Sequence, residues 1–320
     1  MNSLQWIRHG VARLCRWVPA LLIPAASVLA APFSSVVVYG DSLSDNGNFF
    51  AATAGIPGAP YFDGRRSNGP VAVEQLAARI GAPLIDFAWI GATTGVGNYG
   101  DGGTSTSFGA FNLPGMTTIF NATRASLAPL VADGLFIVWG GPNDFLLPSV
   151  LDTSPFDTIH RAITNELLII NELRAMGVQH VLAPGMADLG LTPYFQSIGQ
   201  SAQGSALTDF FNTALMDALP SGVDYFDTAG LFRSVVGDPS SYGFTNVKAA
   251  CFDSTTQTTC AHPDQYLFFD DFHPTAAGHA VLAREFAVTL GLPEPGTLWL
   301  LAIAATALGV SRRPRKGVGC

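Results

Sequence analysis

Apolar runs and amphipathic stretches alternate along residues 31–292. Val36-Val37-Val38-Tyr39 is a β-branched run ending at Gly40, and Leu135-Phe136-Ile137-Val138-Trp139 is a buried-strand pattern ending at Gly140-Gly141. Residues 84–88, 178–183 and 223–226 read as shorter strands. Between them lie helical patterns. Residues 70–80 open with Pro70 and carry Val71, Val73, Leu76, Ala77 and Ile80 at mainly helical spacing. Residues 116–131 read as helix interrupted near Pro129, 156–176 as a long amphipathic helix stopped by Gly177, and 205–219 as helix. Residues 275–290 form a final helix entered through Pro274. This alternation predicts an α/β fold with a single doubly wound parallel sheet flanked by helices. Ligands bind such sheets beyond the carboxyl ends of the strands. Gly40-Asp41-Ser42, Gly91 and Gly141-Pro142-Asn143-Asp144 all stand there. Residues 91–115 hold eight glycines and read as a long surface loop, or as a mobile wall over the site.

Both ends have a different pattern. Arg8, Arg13 and Arg16 accompany an apolar run over 18–30 that is too short for a comfortable membrane span. Val28-Leu29-Ala30 fits cleavage after Ala30, so residues 1–30 read as a signal peptide, with a retained anchor as the alternative. At the other end, Pro293-Glu294-Pro295 precedes an apolar run over 298–310 and then Ser311-Arg312-Arg313-Pro314-Arg315-Lys316. A short transmembrane helix with a basic cytoplasmic end follows from that order. The order also resembles a PEP-CTERM sorting tail over 292–320. That resemblance implies a Gram-negative bacterium, transient contact with the inner membrane and an exosortase-type processing enzyme. It places the processed protein at the cell surface, in the periplasm or in the extracellular matrix. A plain anchoring helix is the alternative. The folded domain is expected over 31–291.

Composition narrows the function. With 48% hydrophobic and 12% charged residues the chain can bury a large core. Residues 31–291 carry nine Lys/Arg against 23 Asp/Glu, a balance of −14. An acidic body repels phosphate backbones, so no nucleic acid is expected as partner. Removal of both ends would take Cys15 and Cys320 and leave Cys251 and Cys260 in one polar loop, where an exported protein can form a local disulfide. Two free thiols are the alternative. No metal-ligand motif occurs, and neither metal nor cofactor is expected.

The candidate chemistry centres on Ser42, at a strand-to-helix turn in Gly40-Asp41-Ser42-Leu43-Ser44-Asp45. A serine there is exposed at the sheet edge, although serine is also an ordinary helix cap. No GxSxG occurs, which argues against the nucleophile elbow of α/β-hydrolases. A nucleophilic serine needs a base and an orienting carboxylate. In Asp270-Asp271-Phe272-His273-Pro274-Thr275, a carboxylate three residues before the histidine can fold back to Nδ1. The doubled aspartate leaves a second carboxylate beside it. His160, His180, His262 and His279 have structural readings. Donors for a developing oxyanion are the backbone N–H of Ser42 and of Gly91 and the amide of Asn143.

These blocks, in order, resemble GDSL-type SGNH hydrolases: Gly40 to Asn48, Gly91 within Phe87 to Thr93, Gly141 to Asp144, and Asp270 to Thr275. Asp63-Gly64-Arg65-Arg66-Ser67-Asn68-Gly69-Pro70 resembles the lipase and thermolabile-haemolysin-like branch. Ile90 and Asp86 depart from the usual pattern of the second block. The resemblance implies a flavodoxin-like three-layer α/β/α fold and an exported esterase or lipase working through an acyl-enzyme on an ester substrate. It also implies Ser42 as nucleophile, Asp270 and His273 as its partners, and Gly91 and Asn143 in the oxyanion hole. An O-deacetylase of polysaccharide or an acyltransferase would use the same residues, and a non-catalytic surface or matrix protein on a hydrolase fold is the reading from another class.

Overall fold

The computed structural model describes residues 31–292. The expected signal peptide, the apolar helix over 298–310 and the basic end lie outside the described residues. Five strands form one parallel sheet: β1 (Ser35–Gly40), β2 (Leu84–Asp86), β3 (Gly134–Trp139), β4 (His180–Pro184) and β5 (Asp224–Phe226). Their order is β2-β1-β3-β4-β5. In the two central pairings Val37 lies opposite Ile85 on one side and Phe136 on the other. β1 and β3 are buried along their whole length, which is why both read as continuous apolar runs.

The two-residue period of a strand divides those runs between two cores. Val36, Val38, Leu135, Ile137 and Trp139 pack with Leu76, Leu282 and Phe286 on one face. Val37, Tyr39, Phe136 and Val138 pack with Phe120, Ile170 and Leu173 on the other. Truncating any of the larger side chains to alanine would cost about 2–5 kcal/mol. The helices Ala72–Ile80 and Ala276–Thr289 supply the first face, and Met116–Thr123 and Pro155–Ala175 the second. Ser154 and Asp157 cap the start of Pro155–Ala175 reciprocally, with Pro155 in its first turn.

Several expected bounds shift, for local reasons. The helix expected over 116–131 ends at Thr123 and continues as two 3-10 turns, Arg124–Ser126 and Ala128–Leu130. Pro129 cannot donate a helical hydrogen bond and disfavours helix in the residue before it. β2 stops at Asp86, whose carboxylate folds back to accept the N–H of Ala88 and of Asn46. Further elements had no sequence expectation, among them one helix and one small sheet. The helix Thr228–Gly237 is capped by Asp227, and a small parallel sheet pairs Asn246–Ala250 with Tyr266–Phe268.

Residues 91–115 do not form a plain surface loop. Thr93, Thr94, Asn98, Thr104 and Ser105 are buried within them, and the segment folds on itself through bridges such as Gly97 with Pro114. Gly95 makes that close approach possible, because a Cβ there would lie 2.0 Å from the carbonyl oxygen of Ser105.

Candidate active site

The sheet changes direction between β1 and β3, and the crevice beyond their carboxyl ends holds the site. After Gly40 the chain makes a single turn, in which the Asp41 carbonyl accepts the N–H of Ser44 and Asp45. The Asp41 carboxylate accepts the N–H of Leu43 at 3.0 Å. Ser42 thus projects from a rigid corner, with its Oγ 2.8 Å from His273 Nε2. His273 Nδ1 lies 2.8 and 2.9 Å from the two oxygens of Asp270.

Asp270 is oriented by more than the imidazole. Its Oδ1 accepts the backbone N–H of Phe272 and His273, closing the tight turn that a three-residue spacing allows. Its Oδ2 accepts the hydroxyl of Tyr61 at 2.9 Å. Burial opposes its charge, but the imidazole and these donors outweigh burial and bring its pKa down to about 2. Asp271 is exposed, and its carboxylate has no bond to His273 among the described contacts. Its backbone carbonyl instead accepts the N–H of Tyr194.

The expected donors converge on the same crevice. Gly91 adopts φ +75°, and a Cβ there would sit 2.5 Å from Asn98 Oδ1. Its turn is held by Asp45, which accepts the N–H of Ile90 at 2.7 Å, and by Asn98, which donates to the carbonyl of Ile90 at 2.8 Å. Ile90 therefore enters through its backbone, and its side chain lines the cavity. Asn143 donates to the Ala92 carbonyl at 3.0 Å and makes a long 3.5 Å contact with Asp41. Neither the Ser42 nor the Gly91 N–H donates to an acceptor among the described residues.

Behind these donors stands a buried acidic wall that the sequence did not suggest. Asp144 accepts both the N–H and the hydroxyl of Thr94, at 2.9 and 2.8 Å. Burial pushes Asp144 up to about 7 and Asp41 up to about 6. Glu166, buried on the facing helix, is raised well above its usual range by burial and by Asp144 and Asp41. Of these, Asp41 and Asp144 adjoin recognisable positions, whereas Glu166 and Tyr61 carry no local signal. Ser67 and Asn68 hold the backbone that follows His273. They bond the Pro274 carbonyl and the Ala276 N–H, which fixes the exit into the last helix. His279 is structural as well, since it is buried and accepts the Ala72 N–H at 3.2 Å.

A cavity of about 440 Å³ opens over Ser42. Leu43, Ile90, Leu189, Phe232 and Phe268 are among the apolar side chains that line it, together with Ser42, Gly91, Asn143 and His273. The model of the GDSL-like lipase/acylhydrolase family matches residues 36–286. The chain belongs to that family. It is an esterase or lipase acting on carboxylic ester bonds. A PEP-CTERM protein-sorting motif matches residues 292–316, which marks an exported protein sorted to the cell surface of a Gram-negative bacterium. The chain is 28% identical over 295 residues to a phosphatidylcholine-sterol acyltransferase of Aeromonas hydrophila, covering 87% of this chain and 85% of the relative. A GDSL esterase/lipase of Arabidopsis thaliana is 26% identical over 321 residues, covering 78% and 84%. Among solved structures, a lipase from a goat rumen metagenome aligns with 14% identity and a TM-score of 0.46, covering 80% of this chain and 96% of that one. A carbohydrate acetylesterase of Sinorhizobium meliloti aligns with 17% identity and a TM-score of 0.45, covering 80% and 98%.

Proposed function

We propose that the chain hydrolyses acyl esters through a covalent acyl-enzyme on Ser42. The observation that carries this reading is the continuous chain from Ser42 Oγ to His273 Nε2, and from Nδ1 to Asp270, in the lining of a largely apolar cavity. Neutral His273 takes the Ser42 proton as Oγ attacks the ester carbonyl. The carbonyl oxygen becomes an oxyanion held by the N–H groups of Ser42 and Gly91 and by the Asn143 amide. Asp270 stabilises the imidazolium. The imidazolium then protonates the departing alkoxide, which leaves as alcohol. Water, deprotonated by His273, attacks the acyl-enzyme. Collapse of the second tetrahedral intermediate releases the carboxylic acid and returns the proton to Ser42.

The apolar lining supports an acyl chain longer than acetyl, so polysaccharide deacetylation is the weaker assignment. Transfer to an alcohol in place of water is a second reading, favoured by the name of the Aeromonas relative. Added alcohol acceptors would then yield new esters from the same acyl-enzyme. Export through a leader over 1–30 and exosortase-type processing of the tail complete the proposal. Ser42→Ala should abolish covalent labelling by a fluorophosphonate probe and lower ester turnover by several orders of magnitude. Labelling that persists on another serine would overturn the assignment.

A further inference from the structure

Two segments that reach the cavity expose apolar side chains that no core uses. Tyr99 and Leu146 line the cavity yet are 44% and 39% exposed. The same two segments expose Phe108 at 46%, Phe111 at 80%, Val150 at 93% and Leu151 at 63%. These six residues come from two segments that are tied together. Tyr99 shares a 3-10 turn with Asp101, whose carboxylate accepts the N–H of Phe111 and Leu113. Thr106 and Ser149 join hydroxyls at 2.7 Å, linking the loop of Phe108 to the segment of Val150. The two segments, each of which reaches the cavity, are therefore held to one another.

Their charge pattern is equally distinctive. Residues 99–113 contain one ionisable acid, Asp101, and its carboxylate is turned into the loop by three backbone N–H donors. Residues 142–151 contain only Asp144, which is buried. A body with a balance of −14 thus leaves its three most exposed large apolar side chains among the described residues, Val150, Phe111 and Leu151, in segments without solvated charge. Contiguous exposed apolar surface of this kind marks a contact with protein or lipid. Its continuity with an apolar cavity decides for lipid: an acyl chain leaving a lipid layer would pass from one hydrocarbon environment to another without crossing water. The negative balance of the body works against attraction to an anionic layer.

We propose that the rim of Tyr99, Phe108, Phe111, Leu146, Val150 and Leu151 docks the enzyme on an uncharged or zwitterionic lipid surface, aiming the cavity at aggregated acyl esters. This rests on the acyl-ester reading above, and two measurements separate the two. The first needs no catalysis. In the full chain carrying Ser42→Ala, Val150→Trp is compared with Met216→Trp, an exposed position on the helix Ser201–Ala218, and with the parent. Phosphatidylcholine vesicles should blue-shift the added emission of Val150→Trp and leave Met216→Trp unchanged. Equal shifts at both positions, or none at either, would overturn the docking rim. So would a dimer that covers the rim without lipid.

The second measurement follows one acyl ester below and above its aggregation concentration. Phe111→Ser combined with Val150→Ser should hydrolyse the monomeric ester at the wild-type rate and lose at least about tenfold on aggregates, as expected when two large apolar contacts with lipid are deleted. An undiminished rate on aggregates would overturn the proposal. A wild-type chain inactive on monomer and aggregate alike would instead overturn the ester reading, and the fluorescence comparison would still judge the rim.

Discussion

At the residue scale, position in a turn separates groups of identical chemistry. Asp270 and Asp271 are neighbours, yet only Asp270 meets His273 Nδ1, two backbone donors and the Tyr61 hydroxyl. Asp270→Asn should therefore lower kcat by about 10³–10⁴, the size expected when the imidazole loses its orienting carboxylate. Asp271→Asn should leave kcat within a few-fold, and steady-state kinetics giving the reverse order would reassign the pair. Asp144 supplies a pH signature. Burial raises it from 3.8 to about 7, so between those values the folded state holds a proton that the unfolded state has released. Its contribution is complete below about 3.8 and is lost as pH rises through 7, a span on the order of 4 kcal/mol. Asp144→Asn cannot titrate, so its melting temperature relative to wild type should improve between pH 5 and pH 8. A difference independent of pH would mean that Asp144 ionises normally. His279 acts in the opposite sense: burial lowers it to about 3, and its contribution fades as pH falls below about 6.5.

At the element scale, the disulfide loop is mechanically joined to the triad. Cys251 and Cys260 are bonded, and Phe252 donates its N–H to the Phe269 carbonyl, one residue before Asp270. Phe252 and Phe269 both pack on the ring of Tyr61, whose hydroxyl reaches Asp270. Closing a loop of about ten residues stabilises the fold by about 2.7 kcal/mol in the chain-entropy model. Loosening it should disturb Asp270 and Tyr61 before the sheet, because neither β1 nor β3 touches the loop through a hydrogen bond among those described. Cys251→Ser with Cys260→Ser should therefore lose ester turnover at temperatures where circular dichroism still reports the intact fold. Full activity up to the unfolding temperature would disprove this link.

At the scale of the whole molecule, Ser42, Gly91 and Asn143 follow strands of the five-stranded sheet while Asp270 and His273 follow the small one, yet all five line one cavity and lie within residues 36–286. Removal of the tail should then change where the protein resides and leave kcat/KM on a monomeric ester unchanged. Mass spectrometry of exported protein, together with kinetics before and after processing, checks both halves of that statement. A large loss of activity on processing would mean that the tail contributes to the site.

What the sequence alone determined is what covalent proximity controls. Strand runs at Val36–Tyr39 and Leu135–Trp139 declare themselves by composition, and Asp270 lies within one turn of His273. Ordered blocks identified the family because each sits at a strand end, where short-range geometry and chemistry coincide. The tertiary structure alone decided the rest. Tyr61 reaches Asp270 across 209 positions, and Glu166 comes to face Asp144 only when its helix packs on the sheet. Residues 91–115, glycine-rich and polar, read as a surface loop. Thr93, Thr94 and Asn98 are buried because each polar group finds a partner within the folded segment or on Asp144. Such pairings satisfy buried donors and acceptors at long sequence separation. No local period records them, so they become legible only when the chain has closed on itself.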